Sequence, residues 1–366
     1  MNRRAFLRTG IGGSAAALAG LARPSSLLAS SAAAGAPWRM FEVTTRIEII
    51  NASGATRAWI PMPLTPDTDY HRNLGQSWSG NAASPRVVRD EKYGAGIFTA
   101  EWPAGQSAPV VELVTKHATR DRAVDLAKPG SNPAPEDRKT LALYLAPSRL
   151  IVTDGIVAET SREITKGRTA DLEKSRAIYD WIVDNTFRDP KVRGCGIGDI
   201  RGMLETRNLG GKCADLNALF VGLARAAGIP ARDIYGVRAA DSAEFKSLGK
   251  SGDITKAQHC RAEFYVASHG WVPVDPADVR KVVLEERPGG IALNDPLAAR
   301  ARAKLFGAWE MNYLAYNYAH DLRLPGSNTE PIAFLMYPQA ETVEGRRDSL
   351  DPDNFRYRIT SREVSG

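Results

Sequence analysis

The segment that begins at Cys213 constrains the fold most, because its apolar residues recur at three- and four-residue intervals. Gly228 follows as a helix stop, and Pro230 prevents the helix from continuing. The pattern therefore predicts an amphipathic helix that starts at Cys213 and packs into a core. Its apolar positions are Leu216, Leu219, Phe220, Leu223, Ala224 and Ala227.

Cys213 stands at the start of that helix, directly after Gly210, Gly211 and Lys212. A helix N-terminus presents unsatisfied N–H groups and the positive end of the helix dipole. Both favour a thiolate over a thiol, and the same N–H groups could hold a developing oxyanion. A small buried side chain is the open alternative, since cysteine is often buried.

A nucleophilic cysteine needs a base, and the chain has five histidines. His259 opens a strand pattern over residues 259–266, and Asp275 ends a second one over residues 271–275. In an antiparallel hairpin the two side chains share a sheet face if the loop has three or five residues or a bulge. A loop of two or four residues separates them. The alternatives are a core histidine and a turn aspartate before Pro276.

The rest of the chain predicts β-rich regions on both sides of a mixed domain. Period-two alternation over residues 41–49 and short strand patterns after it predict a β-sandwich over residues 38–125. A proline-rich linker at residues 129–135 precedes helical patterns, which open a domain over residues 138–305. Strand patterns in residues 306–366 predict a β-rich C-terminal extension. The individual patterns lie at residues 58–60, 96–102, 110–115, 156–164, 173–185, 334–337 and 355–359.

The N-terminus predicts export. Residues 1–34 carry a twin arginine, Arg3 and Arg4, then a short Gly/Ala-rich apolar stretch, and they resemble a twin-arginine signal peptide. The net charge of the chain is +6, and four of its arginines lie in residues 1–34. The rest of the chain has no Lys/Arg-rich run. This argues against nucleic acid as a partner. No later apolar run reaches about 18 residues, so no membrane anchor is expected after signal removal.

Three segments in order resemble the transglutaminase-like superfamily. Gly211-Lys212-Cys213-Ala214-Asp215 resembles its cysteine segment, together with residues 223–232. Residues 259–263 resemble its histidine segment, and residues 270–276 resemble its aspartate segment. The resemblance covers roughly residues 140–290. It implies an α+β fold: a papain-like transglutaminase core, here preceded by the all-β sandwich and followed by the β-rich C-terminal extension.

The resemblance also implies a Cys213, His259 and Asp275 triad. Cys213 would attack a carboxamide or acyl carbonyl, His259 would move the proton, and Asp275 would orient the imidazole. The Cys213 N–H is a candidate oxyanion donor. Asn208 is a candidate for the second donor, with a turn residue as its alternative.

Two further residues are candidates for substrate binding. Family members often have an aromatic residue at the position of Arg261, which is expected to share a face with His259 and Glu263. Arg261 could pair with Glu263 or select an acidic substrate group. Trp309 belongs to an aromatic run that either packs against the core or walls a cleft.

The other cysteines, Cys195 and Cys260, could form a disulfide that leaves Cys213 free, or could both be unpaired. No C-x-x-C occurs, so no structural zinc site is expected.

These observations predict a periplasmic or secreted thiol enzyme, a cysteine peptidase or amidase or an acyltransferase, that uses no cofactor. Its substrate would be a protein or peptide, with peptidoglycan peptides suggested by the compartment, and either water or an amine could resolve the acyl-enzyme. The main alternative is a catalytically inactive binding or scaffolding module in the cell envelope. A metal site on Cys213 and His259 is a third hypothesis.

Overall fold

The computed structural model describes residues 36–128 and 135–365. The predicted signal peptide and residues 129–134 of the predicted linker lie outside this part of the chain. Within the described ranges, no helix combines the length and the apolar character needed to cross a membrane.

The N-terminal region consists of strands, as its alternating sequence predicts. The structure confirms the pattern at residues 96–102 to the residue and extends the others by a few positions. A ten-residue strand at His71–Gly80 was not predicted, because polar residues and glycine break its alternation. The strands are β1 Arg39–Ile49, β2 Thr56–Pro61, β3 His71–Gly80, β4 Arg86–Arg89, β5 Gly96–Trp102, β6 Val110–Thr119 and β7 Arg122–Ala123.

The central region combines helices with a sheet. Its elements are α1 Arg138–Leu145, α2 Gly155–Thr165, α3 Asp171–Asn185, β8 Phe187–Arg188, α4 Ile200–Thr206, β9 Gly210–Gly211, α5 Cys213–Ala226, β10 Ala231–Arg238, β11 Gly252–Asp253, β12 Gln258–Val266, β13 Gly270–Val274, α6 Pro276–Glu285 and α7 Pro296–Lys304. A single 3-10 turn, Lys246–Leu248, precedes β11.

The C-terminal region adds β14 Ala308–Trp309, β15 Tyr313–Asn317, β16 Gln339–Thr342, β17 Gly345–Arg347 and β18 Phe355–Val364. The strand predicted at residues 334–337 is wrong: this apolar segment is irregular, and the strand follows at β16. Its side chains pack into a core instead of lining a sheet face, so apolar content alone misled the prediction.

Two sheets form the sandwich, and each needs strands from both ends of the chain. One sheet has the order β11-β18-β1-β6-β3, and the other has the order β17-β16-β2-β5-β4. The C-terminal strand β18 pairs with the whole length of β1. The β-rich extension therefore completes the N-terminal sandwich. Ile47, Phe98, Trp102 and Phe355 are among the buried side chains between the sheets.

Helix α5 is the centre of the mixed domain, and it packs against a sheet of order β13-β12-β10-β15. Nearly every residue of α5 is buried, which is typical of a helix enclosed on all sides. It ends as predicted: Gly228 has φ +82°, and the N–H of Ile229 donates to the Ala224 carbonyl across 2.9 Å. The first residue of α5, Cys213, packs against Cys260 of β12 and Tyr235 of β10, the two interior strands of this sheet.

Candidate active site

The glycine-rich segment at residues 194–198 supports the start of α5. Asp215 Oδ2 accepts from Lys212 N–H across 2.9 Å, and its Oδ1 accepts from Gly198 N–H across 2.9 Å. Gly196 has φ +89°, and a Cβ there would lie 1.8 Å from Asp215 Oδ2. Only glycine lets the loop close over this carboxylate. The loop thereby fixes the helix N-terminus on which Cys213 sits.

The N–H groups at this helix start differ in availability. Ala214 N–H donates to the Cys195 carbonyl across 2.9 Å. The hydrogen bonds within residues 36–128 and 135–365 include none from Cys213 N–H, which leaves it free for an oxyanion. Asn208 is an exposed turn residue whose Oδ1 accepts from Gly210 N–H across 3.3 Å. Asn208 thus has the local role that was its alternative, and the structure shows no contact with Cys213.

The hairpin of β12 and β13 meets the condition for a His–Asp pair. Val266 pairs with Gly270, so the loop has three residues. His259 and Asp275 consequently project to the same face, and His259 Nε2 donates to Asp275 Oδ2 across 2.7 Å. The expected pairing of these two side chains is confirmed.

Asp275 is held by two further contacts. It is the N-cap of α6, where Oδ1 accepts from Asp278 N–H across 3.0 Å. Asn217 Nδ2 also donates to Oδ1 across 3.2 Å and to the Cys260 carbonyl across 2.7 Å. Asn217 lies one turn after Cys213 on α5, so this amide joins the nucleophile helix to the His–Asp hairpin. Asn217 was not predicted as a site residue, although its four-residue spacing from Cys213 placed it on the same helix face.

His259 carries a positive charge in this environment. Burial and the Arg238 guanidinium both lower its basicity, but the carboxylates of Asp278 and Asp275 outweigh them and raise the pKa of His259 to about 9. The imidazolium is therefore the dominant form at neutral pH, and Asp275 orients it.

The three cysteines form one buried cluster with Tyr235, Met336 and Tyr337. The neighbouring thiols of Cys195 and Cys260, together with the charge of His259, hold the pKa of Cys213 well below its usual range. Burial opposes this shift. All three cysteines are free, so the Cys195–Cys260 disulfide is not formed.

The triad is covered in this conformation. Cys213 is 4% exposed, His259 3% and Asp275 0%. Met336 and Tyr337, from the irregular segment before β16, pack on the cysteine cluster, and the Cys195 thiol donates to the Gln258 carbonyl across 3.3 Å. These two side chains form a cover over the cysteine cluster.

Arg261 and Trp309, the two residues predicted to bind substrate, are both buried. Arg261 is 3% exposed; its Nη1 donates to the Glu310 carbonyl across 2.9 Å, and its Nε lies 3.8 Å from Asp275 Oδ2. The indole N–H of Trp309 donates to the Val274 carbonyl across 3.2 Å. Trp309 has the packing role that was its alternative.

The expected Arg261–Glu263 pair is not formed either. Glu263 binds Arg122, from β7, and Arg232, from β10. Two guanidiniums thus satisfy this carboxylate, and Arg261 is left to the aromatic rings and the Glu310 carbonyl.

His259, Asp275 and Asp278 bring three possible metal-ligand atoms within 4.8 Å of one another. Arg238 Nη2 lies 2.6 Å from Asp278 Oδ1, and Arg261 also faces Asp275. A cation would have to compete with two guanidiniums and with the proton on His259 Nε2. The charges favour a hydrogen-bonded ionic network over a metal centre.

Comparisons with known proteins agree with this geometry. Residues 158–276, which include Cys213, His259 and Asp275, match the transglutaminase-like superfamily. An uncharacterized protein of Haemophilus influenzae is 35% identical over 343 residues, which cover 89% of this chain and 92% of that protein. The crystal structure of a proposed cysteine protease from Cytophaga hutchinsonii has a TM-score of 0.50 at 16% identity and shows the same fold. It covers 89% of this chain and 98% of that one. The chain belongs to the transglutaminase-like superfamily.

Proposed function

We propose that this protein is a thiol enzyme that acts on amide bonds through an acyl-enzyme on Cys213. One observation carries the proposal. A cysteine at a helix N-terminus lies close enough to the charged imidazole of His259 to have its pKa lowered, and His259 Nε2 is 2.7 Å from Asp275 Oδ2. A nucleophile, a proton carrier and an orienting carboxylate are the parts that acyl transfer requires.

In the acylation step, the Cys213 thiolate attacks the carbonyl carbon of the amide and forms a C–S bond. The negative charge moves to the carbonyl oxygen, where the Cys213 N–H and the helix dipole stabilise it. As the C–N bond breaks, His259 gives its proton to the departing amine. The products of this step are a free amine, a thioester on Cys213 and a neutral imidazole.

In the second step, an acceptor attacks the thioester carbonyl and gives its proton to His259. The C–S bond breaks and restores the thiolate–imidazolium pair. Water yields hydrolysis, and an amine yields a new amide. Water, at about 55 M, is the default acceptor unless the site excludes it. Hydrolysis is therefore the reaction that we propose first.

The substrate class follows from the chemistry and from the leader. An amide-cleaving thiol enzyme acts on proteins or peptides. The twin-arginine-like segment would place the enzyme in the periplasm or outside the cell, where peptidoglycan peptides and envelope proteins occur.

The packing of Tyr337 on the cysteine cluster leads to a testable prediction. We expect Tyr337→Ala to speed iodoacetamide alkylation of Cys213 about tenfold or more at every pH, because it removes the side chain that packs on the cysteine cluster. The pH of the inflection should stay unchanged, since Tyr337 does not touch His259. Tyr265→Ala, which truncates a half-buried tyrosine at the far end of β12, is the matched control and should leave the rate unchanged. Equal rates in wild type and Tyr337→Ala would show that another segment gates the site.

The proposal itself is tested with the mature protein, a digest of peptidoglycan, a casein digest and a biotinylated primary amine. We expect new amino termini, and a thioester adduct on the Cys213 peptide in mass spectra of acid-quenched reactions. Incorporated biotin would identify transfer. Cys213→Ala should lower turnover by at least about 10³-fold.

The burial of Cys213 is the observation that favours the alternative, an inactive binding or scaffolding module in the cell envelope. Such a protein would give neither adduct nor new termini with Tyr337→Ala. It would also show equal binding of peptides by wild type and Cys213→Ala.

A further inference from the structure

Asp278 has an unusual position for an acid in the first turn of a helix. It is three residues after the N-cap Asp275, where an acidic side chain often reaches back to the N–H of the cap residue. Here that N–H is already used, because Asp275 N–H donates to the Leu305 carbonyl across 2.9 Å. The Asp278 carboxylate is consequently free to face another partner.

The carboxylate faces the catalytic histidine. Asp278 Oδ2 lies 3.3 Å from His259 Nε2, the same atom that Asp275 Oδ2 holds at 2.7 Å. Asp278 is 1% exposed, and its Oδ2 has no hydrogen-bond partner within the described ranges. A single N–H cannot point at both carboxylates, so Asp275 takes the hydrogen bond and Asp278 contributes its charge.

Arg238 keeps Asp278 ionised at this depth. Its Nη2 lies 2.6 Å from Asp278 Oδ1, and its Nη1 donates to the Leu248 carbonyl across 2.6 Å. Burial works against the charged carboxylate, but Arg238, followed by His259, holds the pKa of Asp278 well below its usual range. A buried carboxylate next to a charged imidazole is stable only with such a partner.

We propose that Asp278 is a second positioning carboxylate for His259, which keeps the imidazole protonated beside the Cys213 thiolate while Asp275 sets its orientation. This inference rests on the proposed function, in which His259 must hold a proton until the amine departs. By resemblance Asp275 orients the imidazole, and the inference adds a second carboxylate that stabilises the charged imidazole.

The charge balance around His259 includes groups from every element that packs on it. Asp275 and Asp278 are negative, and Arg238 and Arg261 are positive. Removal of Asp278 leaves one carboxylate against both guanidiniums, so the imidazolium becomes less stable. The groups and their elements are Cys213 from α5, Arg238 from β10, Arg261 from β12, Asp275 after β13, Asp278 and Lys281 from α6, and the Tyr313 ring from β15.

The test is an NMR titration of the five histidines in the ¹⁵N-histidine-labelled mature protein, with His259 assigned from His259→Gln. We expect Asp278→Asn to lower the midpoint of His259 by about 1 pH unit or more. The downfield Nε2 proton that reports the Asp275 bond should persist in Asp278→Asn and disappear in Asp275→Asn. Asp278→Glu, which keeps the charge, should bring the titration midpoint of His259 part of the way back to its wild-type value.

Asp233→Asn is the matched control, because Asp233 is an equally buried carboxylate that lies beside His320 and not His259. It should leave the His259 midpoint in place. An unchanged midpoint in Asp278→Asn, or an equal shift in Asp233→Asn, would overturn the inference. A wild-type His259 midpoint at or below the ordinary value of about 6.5 would also overturn the inference. This measurement does not depend on the folding of any variant.

The titration uses no substrate, so its outcome does not depend on whether the protein has the proposed activity. A protein with the Asp278-dependent midpoint but no acyl-enzyme would refute the activity and leave the carboxylate pair standing.

Discussion

Replacing His259 with glutamine raises the pH at which Cys213 becomes reactive, and it slows alkylation of Cys213 at pH 6 by about 10- to 100-fold. The wild-type imidazolium, with a pKa of about 9, stabilises the thiolate next to it, and the neutral glutamine does not. Glutamine can still donate to Asp275, so the hairpin should remain folded. Iodoacetamide labelling from about pH 4 to 10, read by mass spectrometry on the Cys213 peptide, measures the inflection.

The neighbouring thiols supply the matched control. Cys195 packs in the same buried cluster as Cys213, although its thiol donates to the Gln258 carbonyl across 3.3 Å, and Cys195→Ala removes this neutral neighbour while His259 stays. An S–H group is a weak donor, so we expect a smaller rise of the inflection in this variant than in His259→Gln. Burial and hydrogen bonding raise the pKa of Cys195 and Cys260, so these two thiols should stay unlabelled near pH 6. If His259→Gln kept the wild-type inflection while Cys195→Ala lost it, the catalytic role of His259 would be refuted.

Replacing Glu263 with glutamine should destabilise the protein by about 3–5 kcal/mol. This carboxylate is 0% exposed and is the shared partner of Arg122 and Arg232, whose Nε lies 2.6 Å from Glu263 Oε1. The variant leaves two buried guanidiniums facing a neutral amide. Because Arg122 belongs to β7, which pairs with β14, and Arg232 belongs to β10, the loss also weakens the contact of the β7–β14 pair with the central sheet. Urea unfolding, followed by tryptophan fluorescence, measures the change.

Glu101→Gln is the control for this prediction. Glu101 pairs with Arg86 across 2.8 Å at the surface, where the side chains are 34% and 48% exposed, so we expect a change below about 1 kcal/mol. Similar losses in both variants would contradict a special role for Glu263.

The buried Glu263 carboxylate also leads us to expect a loss of stability in acid. Burial alone would raise its pKa, but Arg232 and Arg122 hold the pKa of Glu263 below its ordinary value of 4.5. A group whose pKa is lower in the folded state than in the unfolded state stabilises the protein at pH values above the unfolded-state pKa. That stabilisation disappears as the pH falls through the folded value. In Glu263→Gln this acid-dependent part of the unfolding free energy should be absent.

Short-range patterns in the sequence were sufficient for the parts of the site that lie on single elements. The period of the apolar residues after Cys213 predicted α5, and Gly228 predicted its end. The loop between the strands of His259 and Asp275 has three residues, which is one of the lengths expected to place both side chains on the same sheet face. The irregular segment at residues 334–337 was predicted as a strand, because apolar content does not distinguish a strand from a segment packed into a core.

Contacts between residues far apart in the chain could not be predicted from local sequence patterns. The sequence suggested Arg261 as the partner of Glu263, because the two share a strand face. The structure supplies Arg122 and Arg232 instead, one of them 141 positions away. Likewise, nothing in the local pattern of residues 355–364 indicates that β18 lies along β1. Such pairings depend on how separate elements pack, and no periodicity encodes that packing.

The resemblance to the superfamily grouped Cys213, His259 and Asp275. The sequence by itself therefore determined where the helix of Cys213 begins and ends, and which strands carry His259 and Asp275. These features depend on helix periodicity, helix capping and hairpin register, which act over a few residues. Only the tertiary structure decided how the site is charged and covered: the turn of Asp278 toward His259, the thiols around Cys213, and Tyr337 above them. The physical reason is that burial and charge at a site come from every element that packs there, and those elements are far apart in the chain.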